Sequence, residues 1–398
     1  MGKRPFKSRQ QSKPNHAAAT ANTLCESAFG SFTLQRRPRR KNEVLQAWDN
    51  ADLYLLNRLQ ELQPSVDNRI LLVNDSFGAL ALALADYQCV SWGDSAVSQL
   101  ATQENAEENQ LSLPSFLAMT ERPKAGFDFI LYRLPRSHSL MRYQLQALQG
   151  LCKCPERVLI GGMAKYITAA TVEMCSQNLG VASTSLAWKK ARLIQLSEFI
   201  SASIEEDRQR AEFPEIGLTL INRANVFSRG KLDQGSRLLL SILPELEAPL
   251  NPPQAVADLG CGNGLLGISA AKQWPQADIH FFDDSFMAID SARENCALNG
   301  ILTDHRQLNF SVDDCMSDYR GLGFDLVLCN PPFHQEQQMG DHIAKQMFAH
   351  AKQHLRSDGK LCVVGNRHLG YHLQLKRHFS KVTQLAANAK FVVLLAEK

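Results

Sequence analysis

Asp258-Leu-Gly-Cys-Gly-Asn-Gly264 closes one apolar run, Ala255–Leu259, which reads as a strand, and opens another, Leu265–Gln273, which reads as a helix. Three glycines at alternate positions let a backbone turn tightly and approach a ligand without interference from Cβ atoms. In a dinucleotide-binding G-x-G-x-x-G loop the ligand carries a pyrophosphate. Here an acid, Asp258, precedes the glycines, and a carboxylate is poor company for pyrophosphate. It suits a cationic, amino-bearing ligand such as S-adenosyl-L-methionine, and its carboxylate is expected to face that ligand. Gly260, Gly262 and Gly264 would cradle it. The next acid at a strand end is Asp283, placed to accept both hydroxyls of a ribose, with Asp284 as the alternative. Asp314, near the end of a third strand region, could accept from an adenine amino group, with Asp313 and Asp318 as competitors.

Seventy-two residues after Asp258 comes Asn330-Pro-Pro-Phe333, behind the strand Phe324–Cys329. Two prolines fix φ and remove two backbone donors, so such a turn presents carbonyls and the Asn330 side chain to the cleft at the carboxyl ends of the strands. Asn330 Oδ1 and the Pro331 carbonyl can accept both hydrogens of a flat amino group, which favours a pyramidal nitrogen with a localised lone pair. Phe333 offers a stacking face for a base, worth about 1–3 kcal/mol.

Around these motifs the chain alternates strands and helices. Asp278–Asp283 (strand), Phe286–Asn299 (helix), Ile343–Leu355 (helix), Lys360–Gly365 (strand), His368–Phe379 (helix) and Phe391–Ala396 (strand) complete a parallel α/β pattern. The same rhythm runs earlier: a helical stretch over Leu45–Leu56, strands at Arg69–Asn74, Phe127–Leu131 and Val158–Ile160, and a helix over Gly78–Asp86. Two segments align without gaps. Phe127–Pro135 matches Phe324–Pro332, and Ile70–Leu80 matches Val256–Leu266. The first copy keeps the apolar strand positions but has Leu72 for Asp258, Asn74 for Gly260, Ser76 for Gly262 and Arg133 for Asn330. The expectation is α/β: two tandem Rossmann-like domains, the N-terminal one degenerate, comprising a disordered basic arm over 1–24, domains over 25–200 and 217–398, and a polar linker over 201–216. Arg133 is either an RNA-facing cation of the first copy or an ordinary surface arginine.

Charge is distributed unevenly. Residues 1–41 hold ten Lys+Arg and one acid, residues 342–398 ten and two, which leaves an acidic middle in a chain of net charge +3. Two basic ends suit a polyanion such as nucleic acid. With 44% hydrophobic and 21% charged residues the chain is an ordinary globular one. No uncharged apolar run reaches the roughly 18 residues of a membrane helix, and the basic N-terminus lacks the apolar core of a secretory signal. Ten scattered cysteines read as reduced cytoplasmic thiols rather than disulfides or zinc ligands. His368 and His372 have metal-ligand spacing but no third ligand, and join Lys376 and Arg377 in a basic face; no metal is expected.

The DLGCGNG loop with NPPF resembles class I S-adenosylmethionine-dependent methyltransferases acting on planar exocyclic amines. Asn222-Arg-Ala-Asn-Val-Phe-Ser-Arg229 with Leu232-Asp233-x-Gly235 is similar to the entry segment of the bacterial guanine-N2 methyltransferases of ribosomal RNA. Ser31–Arg36, Leu45–Trp48, Leu186–Ile194 and Lys390–Leu394 resemble the large-subunit type, over residues 29–398; the extension before Ala28 departs from it. The resemblance implies methyl transfer from S-adenosylmethionine to a guanine N2 amine of 23S ribosomal RNA by a cytoplasmic monomer. It places Asp258, the three glycines and Asp283 at the cofactor, Asn330, Pro331 and Phe333 at the target amine, and Phe227 against cofactor or base. The first copy would bind RNA. NPPF alone leaves adenine N6, cytosine N4, a 16S guanine or a release-factor glutamine as other targets. A non-catalytic RNA-binding module is the reading from a different class, against which the intact loop and turn argue.

Overall fold

A computed structural model describes residues 21–204, 207–227, 230–246, 252–301, 306–332 and 337–398. The first copy opens with a hairpin, β1 (Leu24–Ser27) and β2 (Gly30–Thr33), then α1 (Asn50–Glu61). There follow β3 (Arg69–Val73), α2 (Ala79–Ala83), β4 (Gln88–Gly93), α3 (Ala96–Asn109), β5 (Ser115–Ala118) and β6 (Phe129–Arg133). It ends with α4 (His138–Ala147), β7 (Val158–Met163), α5 (Ala169–Asn178), β8 (Gly180–Thr184) and β9 (Ala191–Phe199). The second copy repeats this: hairpin β10 (Gln209–Phe213) and β11 (Leu218–Asn222), α6 (Gln234–Ile242), β12 (Ala255–Leu259), α7 (Leu265–Gln273) and β13 (Asp278–Asp283). Next come α8 (Phe286–Leu298), β14 (Leu308–Val312), β15 (Phe324–Cys329), α9 (Gln337–His354), β16 (Leu355–Asn366), α10 (Tyr371–Leu375), β17 (Lys381–Ala387) and β18 (Phe391–Glu397).

The sheets have one topology. The first is ordered β5-β4-β3-β6-β7-β9-β8 and the second β14-β13-β12-β15-β16-β18-β17. In each, five neighbouring strands are parallel and β9 or β18 runs antiparallel to its neighbours. Strands buried on both faces must be apolar throughout, as Ile70–Val73 and Leu326–Cys329 are. The expected linker does not run to residue 216: Gln209–Phe213 pairs with Leu218–Asn222 as the entry hairpin of the second copy.

Duplication extends into details of side-chain bonding. In the first copy Asn105 and Asn109 of α3 hold Gln35 and Thr33 by their backbone groups; in the second, Asn295 of α8 and Asn299 at its C-cap hold Ile221 and Thr219 in the same way. Gly78 and Gly264 each cap the helix after the first sheet strand at φ +86° and +82°.

The copies meet about a twofold-like contact. Ser95 and Ser285 bridge one another. Asp284 accepts from Ser95 Oγ and Val97 N, the start of α3, while Asp94 accepts from Ser285 Oγ and Met287 N, the start of α8. Each helix N-terminus is therefore capped by a carboxylate of the other copy. Ala224, Val226, Met287 and Ala288 complete an apolar cluster centred on the first sheet.

Candidate functional site

A cleft of about 1020 Å³ lies between the copies, at the carboxyl ends of the parallel strands of both sheets. Asp258, Gly260, Gly262, Asp283, Asp314, Asn330, Pro331 and Phe227 line it; Gly264 stands just behind, where the loop enters α7. Phe333 lies outside the described residues.

The glycine loop owes its path to its sequence. Gly260, Gly262 and Gly264 have φ of +74°, +55° and +82°, the left-handed region in which a Cβ costs about 1–2 kcal/mol. A Cβ on Gly264 would lie 2.9 Å from that of Ala292, whereas one on Gly262 would meet nothing within 4 Å. Gly262 thus leaves room at the cleft, and Gly264 lets α8 pack against the loop.

Asp283, at the end of β13, takes the N–H groups of Gly262 and Ser285, so it ties the loop to the next strand while lining the cleft. Its carboxyl is raised above the usual range by burial. In the first copy β4 ends instead at Gly93, without a carboxylate. Asp284, the alternative, also lines the cleft but is engaged by Ser95 Oγ and Val97 N of the first copy; burial pushes it up to about 7. Asp314 follows β14 and accepts from Gln346 Nε2 at 2.7 Å and from Arg37 Nε of the first copy at 2.9 Å. Its competitor Asp313 is turned onto Asp318 N.

Asp258 lines the cleft but is only 1% exposed, and its Oδ2 takes the Gly267 N–H, 2.7 Å away, inside the first turns of α7, so one of its oxygens is committed to holding the loop against the helix. Burial pushes its carboxyl up to about 7. The first copy, lacking this acid, holds the equivalent Ala81 N–H with Asp75 instead.

Asn330 ends β15. Its Nδ2 donates to Ser236 Oγ at 2.8 Å and Asp233 Oδ2 at 3.2 Å, while its Oδ1 is buried without a partner among the described residues. A buried acceptor left unpaired costs about 1–3 kcal/mol, so Oδ1 is the end of the amide still open to a donor. Arg133, its counterpart, is not an RNA-facing cation: it is held within the first copy by Asp49 and Asp52. Three arginines of the N-terminal basic stretch are also paired with acids, Arg37 with Glu104 and Asp314, Arg39 with Glu104 and Glu108, and Arg40 with Glu43. The C-terminal basic residues Arg367, His368, His372, Lys376, Arg377 and Lys390 are exposed, and Arg367, His368 and Lys390 stand at the carboxyl end of β16.

A cleft walled by left-handed glycines and lined by the carboxylates Asp283 and Asp314 fits S-adenosylmethionine. Among the described residues there is no group of three or more His, Cys, Asp or Glu that could hold a metal, and no helix long and apolar enough to cross a membrane. All ten cysteines are free.

Comparison with known proteins accords with this geometry. Residues 22–200 match the RLMG N-terminal domain and residues 217–395 the methyltransferase small domain. A ribosomal RNA large subunit methyltransferase G of Pseudomonas aeruginosa is 42% identical over 94% of this chain and 100% of its own length. One from Shewanella sediminis is 40% identical over 92% of this chain and 90% of its own. In fold, a T. thermophilus 16S rRNA N2 G1207 methyltransferase, solved with AdoMet and guanosine, superposes with a TM-score of 0.73 at 21% identity, covering 94% of this chain and 97% of that one. With the loop and the Asn-Pro-Pro turn in one cleft, and these relatives spanning nearly its whole length, the chain belongs to the ribosomal RNA large subunit methyltransferase G family and is an S-adenosylmethionine-dependent methyltransferase.

Proposed function

We propose that the chain methylates the exocyclic N2 amine of one guanine in 23S ribosomal RNA. The observation that carries this reading is the unpartnered Asn330 Oδ1 in the cleft wall, beside Pro331. An amine attacking a methyl group gains positive charge, so its hydrogens become stronger donors as the reaction advances. An acceptor held in place for them gains most in the transition state. Bound S-adenosylmethionine supplies an electrophilic methyl group, and alignment is then the protein's main task.

In this reading Asp283 takes the cofactor's ribose, Asp314 its adenine amino group, and Gly260, Gly262 and Gly264 leave space for it. Asp258 acts through the loop it steadies, and Phe227, half-exposed at the cleft, covers cofactor or base. Phe333 stacks on the guanine. Extruding that base costs a few kcal/mol, which RNA contacts by the exposed C-terminal basic rim and by the first copy offset. The large-subunit relatives support the 23S assignment; the N2 amine follows from the entry-segment resemblance. Free cysteines suit the reducing cytoplasm. Because the copies satisfy each other's symmetric faces within one chain, a monomer is the expected state.

Mass mapping of ribosomal RNA from cells with and without the gene tests the assignment. The expected result is one N2-methylguanine lost from 23S RNA. Loss from 16S RNA, loss of a methylated adenine or cytosine, or an unchanged RNA would overturn it.

A further inference from the structure

The two ends of the Asn330 amide are treated differently, and the asymmetry has a cause in α6. Asp233 is the N-cap of that helix, and its Oδ2 takes the Ser236 N–H at 2.9 Å. The same oxygen, with Ser236 Oγ, receives Asn330 Nδ2. Two acceptors on one side of an amide and none on the other select one orientation: nitrogen toward α6, Oδ1 away from it. The intervening Gly235 keeps this possible, since a Cβ there would stand 3.0 Å from Asp233 Oδ2 and 3.2 Å from Phe391.

The degenerate copy provides an internal comparison. Asp49 caps α1 as Asp233 caps α6, and Asp52 stands three residues on, as Ser236 does. Arg133, in Asn330's place, donates to the same two positions, Nη2 to Asp49 at 3.0 Å and Nε to Asp52 at 2.8 Å. The three positions form one bonded unit in both copies. In the first they close on a guanidinium and present no acceptor. In the second a hydroxyl replaces the second carboxylate, and the amide between them is left with its oxygen unpaired.

We propose that Asp233 and Ser236 are positioning residues for methyl transfer: they fix the Asn330 amide so that Oδ1 meets the target amine. The proposal rests on the reading of Asn330 given above. Acceptance of Nδ2–H by a carboxylate also draws electron density toward Oδ1 and strengthens it as an acceptor. Neither residue need touch cofactor or RNA, so their loss affects turnover rather than binding.

A double-mutant cycle in the full-length chain tests this. The variants are Ser236→Ala, Asp233→Ser with Ser236→Ala (a serine preserves the helix cap), Asn330→Ala, and each of the first two combined with Asn330→Ala. Single-turnover methylation is measured on 23S RNA from cells lacking the gene, naked or within the large subunit, whichever form the wild-type chain methylates. S-adenosylmethionine affinity by calorimetry and RNA affinity by filter binding are measured alongside. The expected result is a rate lowered about 10-fold in Ser236→Ala and about 100-fold in the double variant, both affinities unchanged, recovery in Ser236→Thr, and no further loss once Asn330 is Ala. If Asn330→Ala leaves the rate unchanged, the role given to Asn330 fails, and the positioning role with it. If Asn330→Ala is slow but the α6 variants are not, or the losses multiply, the positioning role alone is overturned. Losses that track a fall in cofactor affinity also overturn it, because they report a damaged fold.

Discussion

Replacing Asp258 separates support of the loop from contact with the cofactor. The buried carboxylate has one described bond, from the Gly267 N–H, and its pKa is pushed up to about 7. Against the ordinary value of 3.8, keeping it ionised at pH 8 costs on the order of 4 kcal/mol, at about 1.4 kcal/mol per tenfold displacement. Asp258→Asn removes that cost and keeps an oxygen for Gly267 N–H, but it buries an amide donor that costs about 1–3 kcal/mol if unmet. The two terms partly offset at pH 8, so this variant should be more stable than wild type there by about 1–3 kcal/mol. At pH 3, below the unfolded value, the wild-type carboxyl is neutral both folded and unfolded, and the Asn variant should be the less stable by an amount close to the cost of that donor. Asp258→Ala leaves the Gly267 N–H unpaired and a small void, and should be less stable than Asp258→Asn by about 2–4 kcal/mol at both pH values. Urea unfolding followed by tryptophan fluorescence, with Trp274 at the end of α7 as reporter, gives the stabilities; calorimetry gives cofactor affinity. If Asp258→Ala is as stable as wild type at both pH values and loses only cofactor affinity, the carboxylate is a ligand group and the argument from its burial is wrong.

The glycines should divide by what surrounds them: Gly264→Ala destabilises through Ala292, while Gly262→Ala costs about 1–2 kcal/mol of backbone strain and reduces cofactor affinity more than stability, as unfolding and calorimetry would show. Asp284→Ala unpairs Ser95 Oγ and the Val97 N–H and should destabilise the whole chain by about 2–4 kcal/mol; specific loss of cofactor affinity at unchanged stability would instead return Asp284 to the ribose. Asp94, Asp258 and Asp284 have folded pKa values raised to about 6, 7 and 7. A raised acid contributes stability that is fully present below its unfolded value, near pH 4, and is lost as pH rises through the folded value. Unfolding midpoints should therefore fall between pH 5 and pH 8, and flat midpoints across that window would contradict the assignment of these carboxyls.

Much of the second copy was legible because its elements begin and end at residues with strong local preferences. The strands Asp278–Asp283 and Phe324–Cys329 and the helix Leu265–Gln273 stand where periodicity puts them. Boundaries moved where a cap overrules apolar spacing: the helix expected over Leu45–Leu56 starts at Asn50, because Asp49 and Asp52 form a capping box. The helix expected over His368–Phe379 breaks at Gly370, φ +64°, into a short turn and α10. Arg133 could not be placed from its type, since its partners Asp49 and Asp52 are remote in sequence. The contact between copies did leave a signal. Asp94-Ser95 with Glu104-Asn105 and Asn109 recurs as Asp284-Ser285 with Glu294-Asn295 and Asn299, at identical spacing. Read locally, each is an ordinary helix start, and nothing in one segment announces that its cap is exchanged with the other.

That exchange has the form of an isologous interface, in which a residue of one partner meets the counterpart of its own neighbour in the other. Such self-complementarity is the property of a homodimer, and here it operates within a single polypeptide. The clefts have lost their likeness, one keeping glycines and an asparagine and the other closing on an arginine, yet the Asp–Ser seam between them has stayed alike on both sides. A half produced alone should therefore pair with a second copy of itself, Asp284 capping its twin's α8, which sedimentation would detect. Fusion of this kind frees one member of a symmetric pair to change its chemistry while it continues to brace the other.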